Sequence, residues 1–346
     1  MTDIHPAERY TPCNDLWLVT AYFNPQHYRN RLENYYHFVE PIRRAGMNLI
    51  TVELALEDEP FELEPGQNVL QIRGRDMLWQ KERLLNLAIA HLPESARMVA
   101  WLDCDLLFVN PDWATETTAL LKQNVAVQLF ERAIWLTSGA TKATDIDKTY
   151  PSFSFMHVHD PSAMRLGHEK YYGHPGFGWA FNCDLLKQHG LYDVAIVGGG
   201  DYVMARAMRG DLNSYSVPGM FRPGVNGFPA RVKYRIARQF PFLGWLNKPT
   251  TGYEFIYKYA TDWGQRFYSD VRGQISYTPG VVLHLWHGSF EQREYRTRYS
   301  LLADHRFDPN CDIRIGKNGC WEWSSDKPAL HEGLRNYFLR RREDKL

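Results

Sequence analysis

The stretch from Met98 to Pro111 constrains this chain more than any other, because it places two acids between two apolar runs. It reads Met-Val-Ala-Trp-Leu-Asp-Cys-Asp-Leu-Leu-Phe-Val-Asn-Pro. The run Met98–Leu102 has the composition of a fully buried strand, and Asp103 and Asp105 follow it directly. Alternate side chains of an extended chain share a face, so we expect both carboxylates to point the same way and Cys104 the other way.

Two carboxylates this close to buried strands need a compensating cation or a different structural role. Like charges in such a place are costly unless something cationic lies between them, and a divalent metal meets that need. Oxygen ligands favour Mg²⁺ or Mn²⁺, and an added imidazole moves the preference towards Mn²⁺. The alternative is that the pair caps a helix or turn beginning near Asn110, since Asp-x-Asp is short and common.

Alternating strands and helices in the first part of the chain predict an α/β fold. The predicted helices are Arg31–Ala45 and Trp79–Leu92, and the predicted strands are Leu16–Ala21, Asn48–Leu54, Val69–Ile72, Met98–Leu102 and Val125–Phe130. This order is typical of a mainly parallel central sheet flanked by helices, with ligands bound beyond the carboxyl ends of the strands. Asp103, Asp105 and the segment Thr20-Ala21-Tyr22 all lie at such ends.

The pattern is looser after Phe130. Residues 137–176 are rich in Gly, Ser, Thr, His and Pro, which predicts loops and short elements over one face of the sheet. Beyond them we predict helices at Asp184–His189, Tyr202–Arg209, around Arg293–Arg298 and at Pro328–Arg342, and strands at Ser214–Val217 and Gly280–Leu285. The aromatic and basic segment at about 218–266 is expected to fold over the site or to form a partner surface.

Composition narrows the class of protein further. The chain has 346 residues, of which 44% are hydrophobic, enough for one large domain with a sizeable core. Its formal net charge is zero, so we expect no stable binding to nucleic acid. Five scattered cysteines suit free thiols in a reducing compartment. The first 15 residues are polar and no run reaches the roughly 18 apolar residues of a membrane span, so a cytoplasmic location is expected, with peripheral membrane association left open.

Two histidines at the end of the predicted strand Gly280–Leu285 are candidates for further metal ligands. His284 and His287 precede Gly288, which allows a close approach of the backbone. Positions i and i+3 of an extended chain point to opposite sides, so we expect one imidazole to reach the metal and the other to reach a diphosphate or the acceptor. A structural role for each histidine is the alternative.

The sequence contains neither of the two common glycine-rich phosphate loops. Gly-x-x-x-x-Gly-Lys-Ser/Thr is missing, and no Gly-x-Gly-x-x-Gly follows the first strand. A nucleotide could still bind if a metal at Asp103 and Asp105 holds its diphosphate. Arg293 and Arg298 could neutralise phosphate charge through bidentate hydrogen bonds, although a solvated helix face explains each one singly.

Two glycine-containing segments complete the set of candidate motifs. Gly198-Gly199-Gly200 gives the backbone freedom to bring Asp201 close to a ligand, where it could act as a general base on an acceptor hydroxyl. Capping of the following helix is a full structural alternative for Asp201. Gly178-Trp179 could offer a close backbone approach and a flat indole for a sugar face, or the indole could belong to the core.

Taken in order, these motifs resemble the glycosyltransferases of the GT-A fold. The resemblance covers about residues 16–300 and rests on Thr20–Asn24, Lys81–Ala88, Leu102–Asp105, Gly178–Phe181, Gly199–Asp201 and His284–Gly288. The middle segments are similar to the Gly-Trp-Gly-Gly-Glu-Asp region of the β-1,4-galactosyltransferases and polypeptide N-acetylgalactosaminyltransferases. Gly200 stands where that region has the first of its two acids.

The resemblance implies a nucleotide-sugar donor, usually a uridine diphosphate sugar, and a site divided among named residues. Asp103 would contact the ribose or the metal, Asp105 would bind the metal, and His284 or His287 would complete the coordination. Asp201 matches the catalytic base of the inverting galactosyltransferases. The residues expected to bind the donor are Thr20, Ala21, Tyr22, Asn86, Asp103, Gly178, Trp179, Gly200 and Arg293.

These expectations give a metal-dependent glycosyltransferase that uses Mn²⁺ or Mg²⁺ and transfers a sugar to a glycan or another hydroxyl-bearing acceptor with inversion. Residues 1–130 would bind the donor, 131–290 would hold the acceptor and the base, and 291–346 would form a helical segment. Two other classes also suit paired carboxylates beside a nucleotide pocket. They are a metal-dependent nucleotidyl- or phosphotransferase, and an inactive glycan-binding protein of the same fold.

Overall fold

The computed structural model describes residues 3–144, 149–161, 173–212, 252–289, 293–294 and 298–344. The strands are β1 Leu16–Phe23, β2 Leu49–Leu56, β3 Val69–Gly74, β4 Met98–Leu102, β5 Leu106–Phe108, β6 Ala126–Gln128, β7 Arg132–Trp135, β8 Thr149–Pro151, β9 Gly178–Asn182, β10 Ile275–Tyr277, β11 Val281–His284, β12 Ile313–Ile315 and β13 Trp321–Trp323. The helices are α1 Arg29–Arg44, α2 Lys81–Ala90, α3 Trp113–Leu121, α4 Phe153–His159, α5 Cys183–His189, α6 Gly200–Met208, α7 Glu254–Val271, α8 Ser300–Asp304 and α9 Pro328–Leu339.

A seven-stranded sheet in the order β10-β6-β9-β4-β1-β2-β3 forms the centre of the fold. Strand β9 pairs antiparallel with both β4 and β6, and the other pairings in this sheet are parallel. The mainly parallel α/β architecture predicted from the sequence is therefore confirmed.

Helices α1 and α2 cover opposite faces of this sheet, as the alternation along β1 requires. Leu18 of β1 belongs to the same buried cluster as Phe38 and Val39 of α1. Its neighbour Val19 belongs to the buried cluster that contains Leu84 and Leu85 of α2. Both helices bury apolar residues at spacings of three and four, as expected for amphipathic helices that pack on a sheet.

A second sheet, in the order β5-β11-β7-β8, joins the Asp-x-Asp segment to the distant histidine segment. Strand β5 begins directly after Asp105 and pairs antiparallel with β11, with Leu106 opposite His284. The amide of Leu285 donates a hydrogen bond to the carbonyl oxygen of Asp105 at 2.9 Å. This register places Asp105 and His284 side by side, although they are far apart in the chain.

The C-terminal part of the chain returns to the beginning of the fold. It contains the antiparallel pair β12–β13 as well as helices α8 and α9. Phe338, near the end of α9, lies with its ring centroid 5.7 Å from that of Phe23. Beyond α9, the carboxylate of Asp344 accepts a hydrogen bond from the amide of Asn30 at 2.9 Å.

Several element boundaries differ from the predictions for physical reasons. Helix α6 begins at Gly200 rather than at Tyr202, after Gly199 in a left-handed conformation (φ 93°). Arg293 and Arg298 lie in turns, residues 295–297 between them lie outside the described part of the chain, and the next described helix is α8, from Ser300. Helix α9 ends at Leu339 rather than at Arg342, because the following residues turn back towards α1.

Two predictions fall wholly or mostly outside the described residues. The strand predicted at Ser214–Val217 lies there, as does most of the aromatic segment at 218–266. The last part of that segment forms helix α7, which buries Ile256, Ala260 and Trp263. All five cysteines are free thiols. Among the described helices, none combines the length and the apolar character that a membrane crossing requires.

Candidate functional site

Asp105, His284 and His287 form a compact group of potential metal ligands. The Nε2 atoms of the two histidines lie 3.1 Å apart. Asp105 places one carboxylate oxygen 3.2 Å from Nε2 of His287 and the other 3.7 Å from Nε2 of His284. Ligand atoms bound at about 2.1 Å to one small cation lie about 3.0–3.4 Å apart, so the three side chains fit a single ion.

The expectation that only one histidine would face the metal is not met by this geometry. It assumed an extended chain from His284 to His287, whereas β11 ends at His284. The chain therefore turns between the two residues and brings both imidazoles to the same side. We refer to Asp105, His284 and His287 as the triad.

Burial keeps the two histidines of the triad neutral, as metal binding requires, but it favours the protonated form of Asp105. Burial and the nearby Arg293 lower the pKa of both histidines well below the usual value, so both rings are neutral near pH 7. Burial and the neighbouring Asp103 raise the pKa of Asp105 to about 7. Oδ1 of Asp105 and Nδ1 of each histidine have no hydrogen-bond partner among the described residues. A buried carboxylate that lacks a donor is costly, and a bound cation would satisfy it.

We expect the affinity of the triad for Mn²⁺ to depend on pH around 7. A metal competes with the proton on Asp105, while the neutral histidines carry no competing proton in this range. Below pH 7 the affinity should fall about tenfold per pH unit, and above it the affinity should level off. Titration of the protein with Mn²⁺ between pH 5.5 and 8.5 measures this, and a flat affinity over that range would contradict it.

Asp103 lies beside the triad but has a different partner. Its Oδ1 accepts a hydrogen bond from Nζ of Lys81 at 3.0 Å, and its backbone amide donates to the carbonyl oxygen of Phe177 at 2.8 Å. Burial alone would lower the pKa of Lys81, but the surrounding carboxylates, led by Asp103 and Asp201, raise it above its usual value. The two acids of the Asp-x-Asp therefore divide their roles, since Asp103 has a fixed cation and Asp105 faces the imidazoles.

A cavity opens directly in front of these groups. The residues already described that line it are Lys81, Asp103, Asp105 and His287. The remaining lining residues, both polar and apolar, are Ala21, Phe23, Asn24, Pro25, Gln26, Tyr28, Arg31, Trp79, Gln80, Cys104, Phe338, Arg341 and Glu343. One wall is aromatic, with Trp79 stacked near Phe338 at a centroid distance of 6.4 Å. Flat aromatic walls beside a floor that holds a cationic side chain and potential metal ligands suit a base or sugar ring joined to an anionic group.

Asp201 stands at the first turn of α6, close to the loop that precedes β9. A Cβ atom built on Gly176 would come within 2.3 Å of Oδ2 of Asp201, so the carboxylate lies directly against that glycine. Its Oδ1 accepts a hydrogen bond from the amide of Tyr202 at 2.8 Å. Burial lowers the pKa of the nearby His174 to about 4, and Asp201 opposes this effect.

Gly200 is a glycine because a second carboxyl group occupies the space beside it. A Cβ atom at this position would lie 2.7 Å from Cδ of Glu82 and 2.7 Å from the carbonyl oxygen of Tyr192. Burial raises the pKa of Glu82 to about 7. Gly200 therefore does not offer a surface to a ligand, and its role is to let α2 and α6 approach each other near Asp201.

Phe177 packs against a histidine of the triad and has a backbone conformation that is unusual for a phenylalanine. Its φ is 76°, in the left-handed region. The ring stacks on His174 at a centroid distance of 3.9 Å and on His284 at 4.6 Å. A non-glycine residue in this region costs energy, and such outliers are concentrated at functional sites. Phe177 thus orients a triad imidazole with its ring and Asp103 with its backbone carbonyl.

Replacing Phe177 with Ala is expected to lower the affinity for Mn²⁺ by about 10- to 100-fold, the usual cost of losing a group that orients a metal ligand. Titration with Mn²⁺ measures this directly. Phe155→Ala is a matched control, since its ring packs on His159, with centroids 4.4 Å apart, away from the triad. An unchanged affinity in Phe177→Ala would show that the stack does not orient His284.

Several residues predicted to bind the donor lie away from the cavity. Thr20 is buried and donates a hydrogen bond to the carbonyl oxygen of Leu102 at 2.8 Å. Asn86 binds Asp193 and the backbone of Leu191. Trp179 has no exposed surface, and its indole donates to the carbonyl oxygen of Pro175, so the core role is the observed one.

The remaining predictions of this kind have mixed outcomes. Ala21 lines the cavity, whereas the hydroxyl of the buried Tyr22 binds Glu62 on the far side of β1. Gly178 pairs with Leu102 inside the sheet. Arg293 is buried and donates to the carbonyl oxygen of His287 at 3.2 Å, so it supports the turn that carries a triad residue.

The sequence interpretation missed several cavity residues. Lys81 begins the segment Lys81–Ala88 that supports the resemblance, but it was not predicted to be a site residue. Trp79, two residues earlier, was not predicted either. Arg31, Phe338, Arg341 and Glu343 come from the two ends of the described chain. Nothing in their local sequence pattern indicates a site, because they meet only through the return of α9 to α1.

Comparison with known proteins gives fold-level similarity only. No protein-family model matches the chain, and no curated protein matches it. Among solved structures, the catalytic domain of Drosophila β-1,4-galactosyltransferase 7 with xylobiose is similar at 13% identity and a TM-score of 0.31. A mutant of that enzyme with manganese, UDP-Gal and xylobiose is similar at 14% identity and a TM-score of 0.29.

Each of these two matches covers 57% of this chain and 62% of the galactosyltransferase chain, less than two thirds of its length. The glucosyl-3-phosphoglycerate synthase of Mycobacterium tuberculosis with Mg²⁺ and UDP is similar over 91% of this chain and 87% of its own. It is 12% identical, with a TM-score of 0.33. These similar structures are glycosyltransferases, and at such scores they assign neither a donor nor an acceptor to this chain.

Proposed function

We propose that this protein is a metal-dependent glycosyltransferase that moves a sugar from a nucleotide-sugar donor, a uridine diphosphate sugar, to an acceptor hydroxyl. The observation that carries the proposal is the triad, a group of potential metal ligands of which Asp105 and His287 line a cavity with a cationic floor and an aromatic wall. Asp201 lies beyond that floor, within the electrostatic reach of Lys81. This arrangement supports a division of the site into a part for a leaving diphosphate and a part for an attacking hydroxyl.

The chain's own residues divide the work of the reaction. The triad would hold Mn²⁺ or Mg²⁺, which when bound neutralises charge on the leaving diphosphate. Burial raises the pKa of Asp103, and Lys81 opposes this effect while its hydrogen bond holds the carboxylate at the cavity floor. Trp79 and Phe338 offer flat surfaces that exclude water from a bound ring. Asp201 would accept the proton of the attacking hydroxyl, which favours single displacement with inversion.

A thermal-shift screen of nucleotide sugars, with and without Mn²⁺, tests this function. A ligand present at 100 times its dissociation constant stabilises the folded chain by about 2.7 kcal/mol, a shift that such a screen detects. We expect stabilisation by uridine diphosphate sugars only when Mn²⁺ or Mg²⁺ is present. No stabilisation by any nucleotide sugar would contradict the proposal.

Product analysis separates this proposal from the other metal-dependent classes. Release of a nucleoside diphosphate with a preference for one sugar supports a glycosyltransferase. Release of pyrophosphate or of a nucleoside monophosphate would instead indicate nucleotidyl or phosphoryl transfer. Donor binding without turnover on a broad panel of acceptors would indicate an inactive glycan-binding protein.

A further inference from the structure

Two arginines and one glutamate form a buried ionic cluster beside the triad. Nη1 of Arg31, in the first turn of α1, lies 2.7 Å from Oε2 of Glu343. Nη2 of Arg341 lies 2.8 Å from the other oxygen, Oε1. The Glu343 side chain is only 3% exposed, and its Oε2 is 3.9 Å from Nδ1 of His287. The cluster therefore adjoins the triad at His287.

One fully buried donor atom of the cluster has no acceptor among the described residues. Arg341 is 5% exposed, yet its Nε has no hydrogen-bond partner among the described residues. Its guanidinium lies 4.8 Å above the ring of Trp79, which faces the same cavity. Leaving a buried, charged donor unsatisfied is costly, so an acceptor supplied by a ligand would stabilise it. One carboxylate also serves two guanidinium groups, which leaves the cluster with an excess positive charge.

Charge around the cavity indicates which kind of anion fits. The cavity is lined by three cationic side chains, Arg31, Lys81 and Arg341, and by three carboxylates, Asp103, Asp105 and Glu343. These charges balance formally, so a divalent cation on the triad would leave an excess of two positive charges. The diphosphate of a nucleotide sugar carries two negative charges. Guanidinium groups bind phosphate oxygens with paired, directional hydrogen bonds, which a single ammonium does not provide.

We infer that Arg31 and Arg341 bind the diphosphate group of the donor, with Glu343 as the residue that positions both guanidinium groups. This inference rests on the proposed function for the nucleotide and the sugar, but the subsite itself requires only a diphosphate. Glu343 is held in place by its neighbours. Asp344 is bonded to the amide of Asn30, and a Cβ atom on Gly288 would lie 3.4 Å from Cγ of Glu343. It therefore stays in the cluster when an anion binds.

The test compares inorganic pyrophosphate, UDP and uridine as probes, each titrated in Mn²⁺ by calorimetry. The variants are Arg31→Lys, Arg341→Lys, Arg341→Gln and Glu343→Gln. The lysine variants keep the buried charge and lose only the paired hydrogen bonds, so they are the safer choice for folding. Arg340→Gln is the matched control, because Arg340 forms an exposed pair with Glu294 just outside the cluster.

We expect each cluster variant to bind pyrophosphate and UDP at least about tenfold more weakly, with uridine affinity unchanged and the control equal to wild type. Pyrophosphate affinity equal to wild type in the arginine variants would overturn the subsite. So would an equal loss of uridine binding, which would indicate general damage. Tighter pyrophosphate binding by Glu343→Gln would overturn the positioning role, because Glu343 would then be an occupant that the anion displaces.

The same titrations, together with transfer assays, distinguish a failure of the diphosphate subsite from a failure of the proposed function. If wild type binds pyrophosphate through these arginines but binds no nucleoside diphosphate, the subsite stands and the glycosyltransferase proposal fails. If the arginine variants bind donors and transfer sugar as wild type does, the glycosyltransferase proposal stands and the subsite is wrong.

Discussion

Replacing Asp105 with Asn is expected to abolish Mn²⁺ binding at the triad and to lower sugar transfer by more than about 100-fold. Asn keeps the volume of the side chain but removes the only carboxylate of the triad. Changes to groups that merely orient a metal ligand cost about 10- to 100-fold, so loss of a ligand should cost more. Titration with Mn²⁺ and a nucleoside diphosphate release assay measure the two effects separately.

Asp270→Asn is the control for this change, since Asp270 is an exposed acid that pairs with His189 on another face. It should bind Mn²⁺ and transfer sugar as wild type does. A chelator should reproduce the effect of Asp105→Asn on the wild-type protein, and added Mn²⁺ should reverse the chelator's effect. Full transfer in the presence of the chelator would exclude a metal role for the triad.

Replacing Asp201 with Asn is expected to lower transfer by about 10²- to 10⁴-fold while donor binding in Mn²⁺ stays within a few-fold of wild type. The reason is that Asp201 lies outside the cavity lining and would act on the acceptor, whereas the proposed function assigns the triad and Lys81 to the donor. Steady-state transfer rates and a donor titration on the same preparation test both halves of this expectation.

The alternative role of Asp201 as a helix cap gives a different result. In the structure Gly199 is the N-cap of α6, and Asp201 serves the helix start only by accepting a hydrogen bond from the amide of Tyr202. Asn retains an oxygen acceptor and caps helices as well as Asp does, so a purely structural role predicts a nearly unchanged melting temperature and an intact transfer rate. Asp201→Asn with normal transfer would therefore assign Asp201 to capping. Loss of donor binding together with transfer would mean that the residue supports the donor side of the site.

The sheet could be predicted from sequence because its signals are local. Leu49–Leu56 and Met98–Leu102 are short apolar runs between turn residues, and α1 buries residues at helical spacing. Asp105, His284 and His287 could also be predicted, since carboxylates and imidazoles at strand ends are a chemical signal that does not depend on packing. The sequence could not predict that both imidazoles lie on the same side as Asp105, because this depends on the end of β11 at His284.

The errors have a common physical origin in long-range packing. Trp179 follows a glycine in a motif-like segment, but the antiparallel insertion of β9 between β4 and β6 puts its indole in the core. Phe177 gives no sequence signal, because its left-handed conformation is imposed by the stack between His174 and His284. Arg341 and Glu343 reach the cavity only because the segment after α9 packs against α1.

The packing of the segment after α9 against α1 also determines when the cavity can form during synthesis. Ala21 and Glu343 line the same cavity, so it is complete only after nearly all of the described chain has been made. Chains emerge from the ribosome N-terminus first, and the sheet strands β1 to β4 are available long before Glu343. A nascent chain would thus carry the acids of the Asp-x-Asp without a finished binding site. A ligand of this cavity would stabilise only a chain that has been made and folded as far as Glu343, so its binding reports that stage of folding.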